Sequence, residues 1–300
     1  MDATTPNKTG ITLKDLLDAG LHFGHQTKRW NPKMRPYIFD KRNGIHIIDL
    51  TQTIGLIDEA ADFLQKTVRE GKKVLFVATK KQAQEVVRTA AESCGQFHMT
   101  NRWLGGTLTN MQTIRRSIRR MRQIETIGRN NNGVLSPFKK EAATLRRELD
   151  KLQTNLGGIA DLNGLPGALV VVDVVREANA VKEAATLGIP VVAIVDTNAN
   201  PDPIDYVIPG NDDAVRGVKI IVDGLAAAIK TAADEYAKVQ EEERAKKAAE
   251  APAEGRKAPR APRRPGERAP RRPAAPRKPE AVTEAPVDAA PTAPEATKVE

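Results

Sequence analysis

The residues of this chain suited to chemistry are few and scattered, whereas those suited to gripping anions come in runs. Asp173 and Asp196 follow the apolar stretches "GALVVVDV" and "IPVVAIVDT". Carboxylates at the C-terminal ends of parallel strands stand where α/β enzymes collect ligands and catalytic groups. Neither has a G-x-S-x-G nucleophile turn or a G-x-G-x-x-G dinucleotide turn beside it, and a strand-ending aspartate often only caps the next loop. Four histidines, His22, His25, His46 and His98, are the other candidates for acid–base work. His22 and His25 form an H-x-x-H pair that a metal could share, but no H-E-x-x-H helix completes it. The single cysteine, Cys94, excludes an intramolecular disulfide and a cysteine-based zinc cluster, and suits a reducing compartment. In "NRWLGGTLTN" the double glycine permits close backbone approach. Thr107 is placed to cap a helix whose exposed N–H groups would favour an anion. A Walker-type loop would need a longer glycine-bounded span closed by Lys and then Ser or Thr, and that pattern is absent.

A phosphate polymer is the better match to the basic residues. In "GLHFGHQTKRWNPKMRPYIFDKRNGIHIIDL", Lys28, Arg29, Lys33, Arg35, Lys41 and Arg42 alternate with Phe23, Trp30, Tyr37 and Phe39. Cations neutralise phosphates while aromatic faces stack on unpaired bases, the combination that RNA binding requires. In "IRRSIRRMRQ" the apolar Ile114, Ile118 and Met121 are flanked by Arg115, Arg116, Arg119, Arg120 and Arg122. The planar guanidinium fork bridges phosphate oxygens, so a helix surface of this kind reads as a phosphate face. The competing reading has the arginines paired within the protein, chiefly to Glu141 and Glu148, two carboxylates against five cations.

These residues need a scaffold, and the periodicity supplies one. "KKVLFVAT", "GALVVVDV" and "IPVVAIVDT" are apolar on both alternating faces, as central parallel strands are. Helical spacing follows in "KKQAQEVVRTAAESCG" and in "REANAVKEAATLG", the latter ended by Gly188 and Pro190. A helix in "TQTIGLIDEAADFLQKTVREGKK" precedes the first strand, and a capped amphipathic one in "NDDAVRGVKIIVDGLAAAIKTAADEYAKV" closes the core. The expected fold is α/β: a doubly wound, mainly parallel sheet with right-handed crossovers. Between Thr107 and Leu156 the period changes. Leu108, Met111, Ile114, Ile118, Met121 and Ile124 form one seam, and Phe138, Ala142, Leu145, Leu149, Leu152 and Leu156 a second. Gly128 and Gly133 read as stop signals and Ser136-Pro137 as a start, so an inserted antiparallel coiled-coil hairpin is expected. Two ordinary helices packed flat on the domain are the alternative. The expected organisation is 1–106 and 157–240 as two parts of the α/β domain, 107–156 as the insertion, and 241–300 as a disordered Pro/Arg/Ala-rich tail. Within that tail, 251–278 carries ten Lys or Arg against two Glu. The basic block either holds RNA loosely or is simply solvated.

The formal charge of +9 favours acidic partners. The N-terminus lacks the basic start and apolar run of a signal peptide, and no apolar stretch is long enough to span a bilayer, so a soluble cytoplasmic protein is expected. Two function classes compete: a nucleic-acid-binding protein, and an enzyme using a nucleotide or sugar phosphate near Asp173 and Asp196.

"AGLHFGHQTKRWNPKMRPYIFDKRNGIHIIDL", "FVATKKQAQEVV", "RWLGGTLTN", "LPGALVVVDVVREANAVKEAATLGIPVVAIVDTNANP" and "IDYVIPGNDDAVRGVKII" occur in that order. Together they resemble the bacterial small ribosomal subunit protein S-two family, from about Ile11 to Tyr236. The resemblance implies a Rossmann-like or flavodoxin-like domain with an inserted coiled-coil hairpin, and a structural rRNA-binding role on the small ribosomal subunit in the cytoplasm. Small-subunit proteins, ribosomal protein S-one among them, are the implied partners, with no enzymatic activity, cofactor, metal or membrane. The resemblance implies rRNA contacts at Arg102, Trp103, Gly105, Gly106 and Asn110; the basic runs themselves add Lys28, Arg29, Trp30, Lys33, Arg35 and Arg42, Lys80 and Lys81, and Arg115, Arg116, Arg119 and Arg120 as expected RNA contacts. The tail departs from the family's usual length.

Overall fold

The computed structural model describes residues 7–250. In chain order the elements are α1 (Leu13–Asp18), β1 (Phe23–Gln26), a 3-10 turn (Pro32–Tyr37), β2 (Ile38–Arg42), β3 (Ile45–Ile48), α2 (Leu50–Arg69), β4 (Val74–Val77), α3 (Lys81–Ser93) and β5 (Phe97–Met99). After them come α4 (Met111–Asn130), α5 (Lys139–Leu156), β6 (Ala168–Val172), α6 (Ala178–Leu187), β7 (Val191–Val195), β8 (Tyr206–Pro209) and α7 (Val215–Glu250).

Five strands form one parallel sheet in the order β5-β4-β6-β7-β8. β4, β6 and β7 are the strands expected from the apolar runs, and every residue in them is buried. Alternation of side chains sends successive residues to opposite faces. Val74, Phe76, Ala168, Val170, Val172, Val192 and Ile194 join α2, α3 and α7 in one apolar cluster. Leu75, Val77, Leu169, Val171, Val191, Ala193 and Val195 join α6 and the roots of α4 and α5 in the other. Helices therefore cover both faces, as a doubly wound fold requires. Burying a Leu, Ile, Val or Phe is worth about 1.5–3 kcal/mol, so these two layers carry the stability. α6 ends where expected, at Gly188, whose φ of 66° is the left-handed cap that glycine accepts.

A second sheet, antiparallel and in the order β1-β3-β2, was not expected from the sequence. Arg42 pairs with Ile45, leaving Asn43-Gly44 as a two-residue turn with φ of 50° and 77°, the conformation that tight hairpins favour. α4 and α5 stand where the narrow seams were expected. α4 runs through Gly128, expected as a stop, and ends at Asn130. Ile114, Ile118, Met121 and Ile124 are buried along α4, whereas on α5 only Leu156 is buried. The roots of both helices pack on the sheet, and side chains bridge the two helices, Arg120 to Glu148 at 2.9 Å and Gln153 to Glu125 at 2.7 Å. α7 passes Gln240, the expected end of the ordered core, and continues to Glu250. The residues past 240 are strong helix formers, and the first proline after them is Pro252. The disorder expected of 251–300 lies outside the described residues.

Candidate nucleic-acid interface

Ligands of doubly wound folds bind at the C-terminal ends of the strands, where the strand order reverses. Here that point lies between β4 and β6, and the residues following those strands are Thr79-Lys80 and Asp173. The crevice is closed by the protein's own groups. Lys80 Nζ lies 2.6 Å from Asp212 Oδ1, 2.7 Å from Asp213 and 3.8 Å from Asp173. The buried Glu177 accepts from the Thr79 N–H at 2.9 Å and from its hydroxyl. One ammonium among three carboxylates leaves this cluster anionic. Burial would push the lysine pKa down, but its hydrogen bonds to Asp212 and Asp213 outweigh that and raise it. Burial pushes the Asp212 carboxyl up to about 6, and the nearby Asp173 and Asp196 add to it against the pull of Lys80. Asp173 and Asp196 behave as loop caps: Asp173 accepts from the Arg176 N–H at 3.0 Å, and Asp196 from that of Thr197 at 2.5 Å.

Lys80 was expected to meet RNA; it is buried in this cluster, and an internal ion pair takes its charge. Its neighbour Lys81 is exposed at the start of α3. His25, on β1, meets Asp196 at 3.0 Å, which raises its pKa against the effect of burial and ties the small sheet to the edge of the large one. Burial lowers the pKa of His22. Among the described residues no group of three or more His, Cys, Asp or Glu is arranged to hold a metal ion.

The double-glycine turn does hold an anion, and the anion belongs to the chain. Glu183 Oε1 accepts from Trp103 Nε1 at 3.0 Å and from the Gly106 N–H at 2.8 Å. Its Oε2 accepts from the N–H groups of Leu108 at 3.0 Å and Thr109 at 3.2 Å, and from the Thr109 hydroxyl at 3.2 Å. Gly106 supplies the φ of 85° that bends the backbone around the carboxylate. Thr107, expected as the helix cap, is instead buried and donates to the Leu104 carbonyl, and α4 begins later, at Met111 behind Asn110. Trp103 is 8% exposed, so its ring is a core group with little face to offer a base. Gly105, Arg102 and Asn110 remain toward solvent.

The exposed cations lie elsewhere. Lys28, Arg29, Arg35 and Arg42 are exposed on and around the small sheet, Lys33 pairs with Asp202, and Trp30 is half-buried against His46, with ring centroids 5.0 Å apart. On α4, Arg120 pairs with Glu148, Arg122 with Asp161 at 2.6 Å, and Arg115 donates to the Asn163 carbonyl. Asp161 and the Asn163 carbonyl lie beyond the carboxylates weighed from the sequence. Arg116 and Arg119 are exposed, with no acidic partner among the described residues.

A parallel sheet with helices on both faces, whose switch-point crevice is filled by the chain's own ion pairs, places this protein in the doubly wound α/β class. Among the described residues no helix is long and apolar enough to cross a membrane. The chain belongs to the family described as Ribosomal protein S2, whose model matches residues 16–232. It is 53% identical over 219 residues to the Small ribosomal subunit protein uS2 of Maridesulfovibrio salexigens, covering 73% of this chain and 84% of that one. The protein of the same name from Solidesulfovibrio magneticus is 55% identical over 219 residues, 73% of this chain and 84% of the relative. That of Treponema pallidum is 51% identical over 227 residues, 75% and 77% respectively. The chain is accordingly a structural constituent of the small ribosomal subunit, resident on the ribosome in the cytoplasm, and not an enzyme.

Proposed function

We propose that this chain binds small-subunit rRNA through the basic surface of the β1-β3-β2 sheet and the arginine face of α4, and that its α/β body helps to dock ribosomal protein S-one. The observation that carries the RNA reading is the pair Arg116 and Arg119, one helical turn apart, exposed and without an acidic partner among the described residues. Lys28, Arg29, Arg35 and Arg42 extend the cationic surface. α4 and α5 present these arginines as an antiparallel coiled coil inserted between the two parts of the domain; the presence of Ile114, Ile118 and Met121 in one apolar cluster with the half-buried Leu149 and Leu152 is consistent with contact between the two helices.

Replacing Arg116 and Arg119 by Gln leaves the buried seam and the Arg120–Glu148 bridge in place, so helix content is expected to stay constant. Binding to small-subunit rRNA weakens, and the dependence of log affinity on log salt becomes shallower by about one per lost phosphate contact. An unchanged salt slope makes these arginines ordinary solvated surface. For the protein partner, exposed aromatic anchors of the kind that interfaces use occur ahead of the tail, with Phe39 on β2 76% and Phe138 at the start of α5 71% exposed, whereas 241–300 contains no aromatic residue. Subunits carrying the chain truncated after Glu250 are expected to retain ribosomal protein S-one by mass spectrometry. Its loss from subunits that still contain the truncated chain moves the dock into the tail.

A further inference from the structure

The arginine face of α4 is useful only if α4 leaves the body in a fixed direction, and the structure shows one group placed to fix it. α6 is seated on the sheet through the buried Ala180, Val181 and Ala184. From its outer side Glu183 reaches the turn that launches α4 and takes five hydrogen bonds from Trp103, Gly106, Leu108 and Thr109. α4 has no side-chain cap of its own: Asn110, its cap residue, makes no such bond. The donors around Glu183 all present hydrogens, so only a group with two accepting oxygens and no hydrogen of its own satisfies them together. A negative charge at this point also complements the positive end of the α4 dipole.

We infer that Glu183 is a positioning residue, the clasp that sets the direction in which α4 carries its arginines away from the sheet. The inference rests on the RNA reading for its purpose, but not for its geometry. Burial would raise the carboxyl's pKa; the hydrogen bonds from Trp103 and the backbone of Gly106, Leu108 and Thr109 outweigh it and hold it below the usual range. The clasp is therefore charged at neutral pH. In Glu183→Gln one accepting oxygen becomes an amide that points hydrogens at hydrogens. The turn loses its anchor while the apolar contacts of α4 and α6 persist.

The test places spin labels on the full chain at Gln82→Cys, exposed on α3, and Asn131→Cys, exposed at the far end of α4. Cys94 is buried, its thiol pushed up to about 11 by burial, and stays unlabelled. Double electron–electron resonance is expected to give a narrow distance distribution for the parent and a broadened one for Glu183→Gln, at unchanged helix content. If the competent direction falls to about a tenth of the population, rRNA affinity falls about tenfold. Trp103→Phe keeps an aromatic side chain, a smaller one, and removes one donor. It broadens the distribution less, and decides the matter if Glu183→Gln does not fold. A parent-like narrow distribution in the folded variant, even with a lowered urea midpoint, makes Glu183 a merely stabilising contact and overturns the inference. Because the distance is read without RNA, it fails independently of the RNA reading.

Discussion

Replacing Lys80 by Met removes the ammonium shared by Asp212 and Asp213 while keeping most of its apolar stem. In the native chain Asp212 titrates at about 6, against about 3.9 for an unfolded aspartate. A carboxyl raised in the folded state costs stability as pH rises. The cost is absent below the unfolded value, grows between about 4 and 6, and is constant above that window. Lys80 acts to lower the Asp212 pKa, so its removal extends the window upward; burial alone lifts a carboxyl by up to about 3–5 units. The stability gap between variant and parent should thus open from pH 6 at about 1.4 kcal/mol per pH unit. It should be about 1.4 kcal/mol wider at pH 7 than at pH 5, and wider still at pH 8. Urea unfolding of the two full chains at pH 5, 6, 7 and 8, followed by circular dichroism, measures the gap directly. A gap that is equal at pH 5 and pH 8 would refute the assignment of Lys80 as the internal partner of Asp212 and return it to the list of RNA-facing cations.

Two further outcomes follow from the packing. A Cβ on Gly158 would lie 2.2 Å from the His98 carbonyl oxygen, backbone that cannot swing aside, so Gly158→Ala is expected to lower stability by about 1–3 kcal/mol in the same urea assay. Cys94 should resist an aromatic disulfide reagent at pH 8 in the native chain and react at once in denaturant, since burial both shields the thiol and raises its pKa to about 11; rapid native labelling would contradict its place in the apolar cluster at the end of α3.

Three strands and the helices around them were legible because β4, β6 and β7 are apolar on both faces and the helical seams are long. β5 has only three residues, and β8, though as long as β4, lies in "IDYVIPG", where a tyrosine and a proline shorten the apolar run. The small sheet was missed although Asn43-Gly44 between Ile38–Arg42 and Ile45–Ile48 is a strong local hairpin signal; its alternation of basic and aromatic residues suggested a surface and concealed the strands. Lys80 and the Asp212-Asp213 pair are 132 residues apart in sequence, and only the rule that parallel strands bring their C-terminal ends to one edge links them. Glu183 gave no local sign at all. It sits on a helix whose pattern is ordinary, and its meaning comes from a turn 74 to 80 residues earlier.

The arrangement of α7 bears on how the chain is made. One face of the large sheet is roofed by α2, α3 and α7 together, with Val218, Ile221, Val222, Leu225 and Ile229 wedged against Leu64, Val87 and Phe76 in a single cluster. α2 and α3 are synthesised early, and α7 after every strand of the sheet. A nascent chain that has reached β8 therefore has its strands in hand but part of one apolar face bare, and stays open until α7 has emerged as far as Ala232. Exposed apolar surface of this kind is what aggregation and chaperones both recognise. A protein destined for the small subunit thus completes its own core only once the apolar part of α7 has emerged, and its vulnerable interval is set by the arrival of that helix.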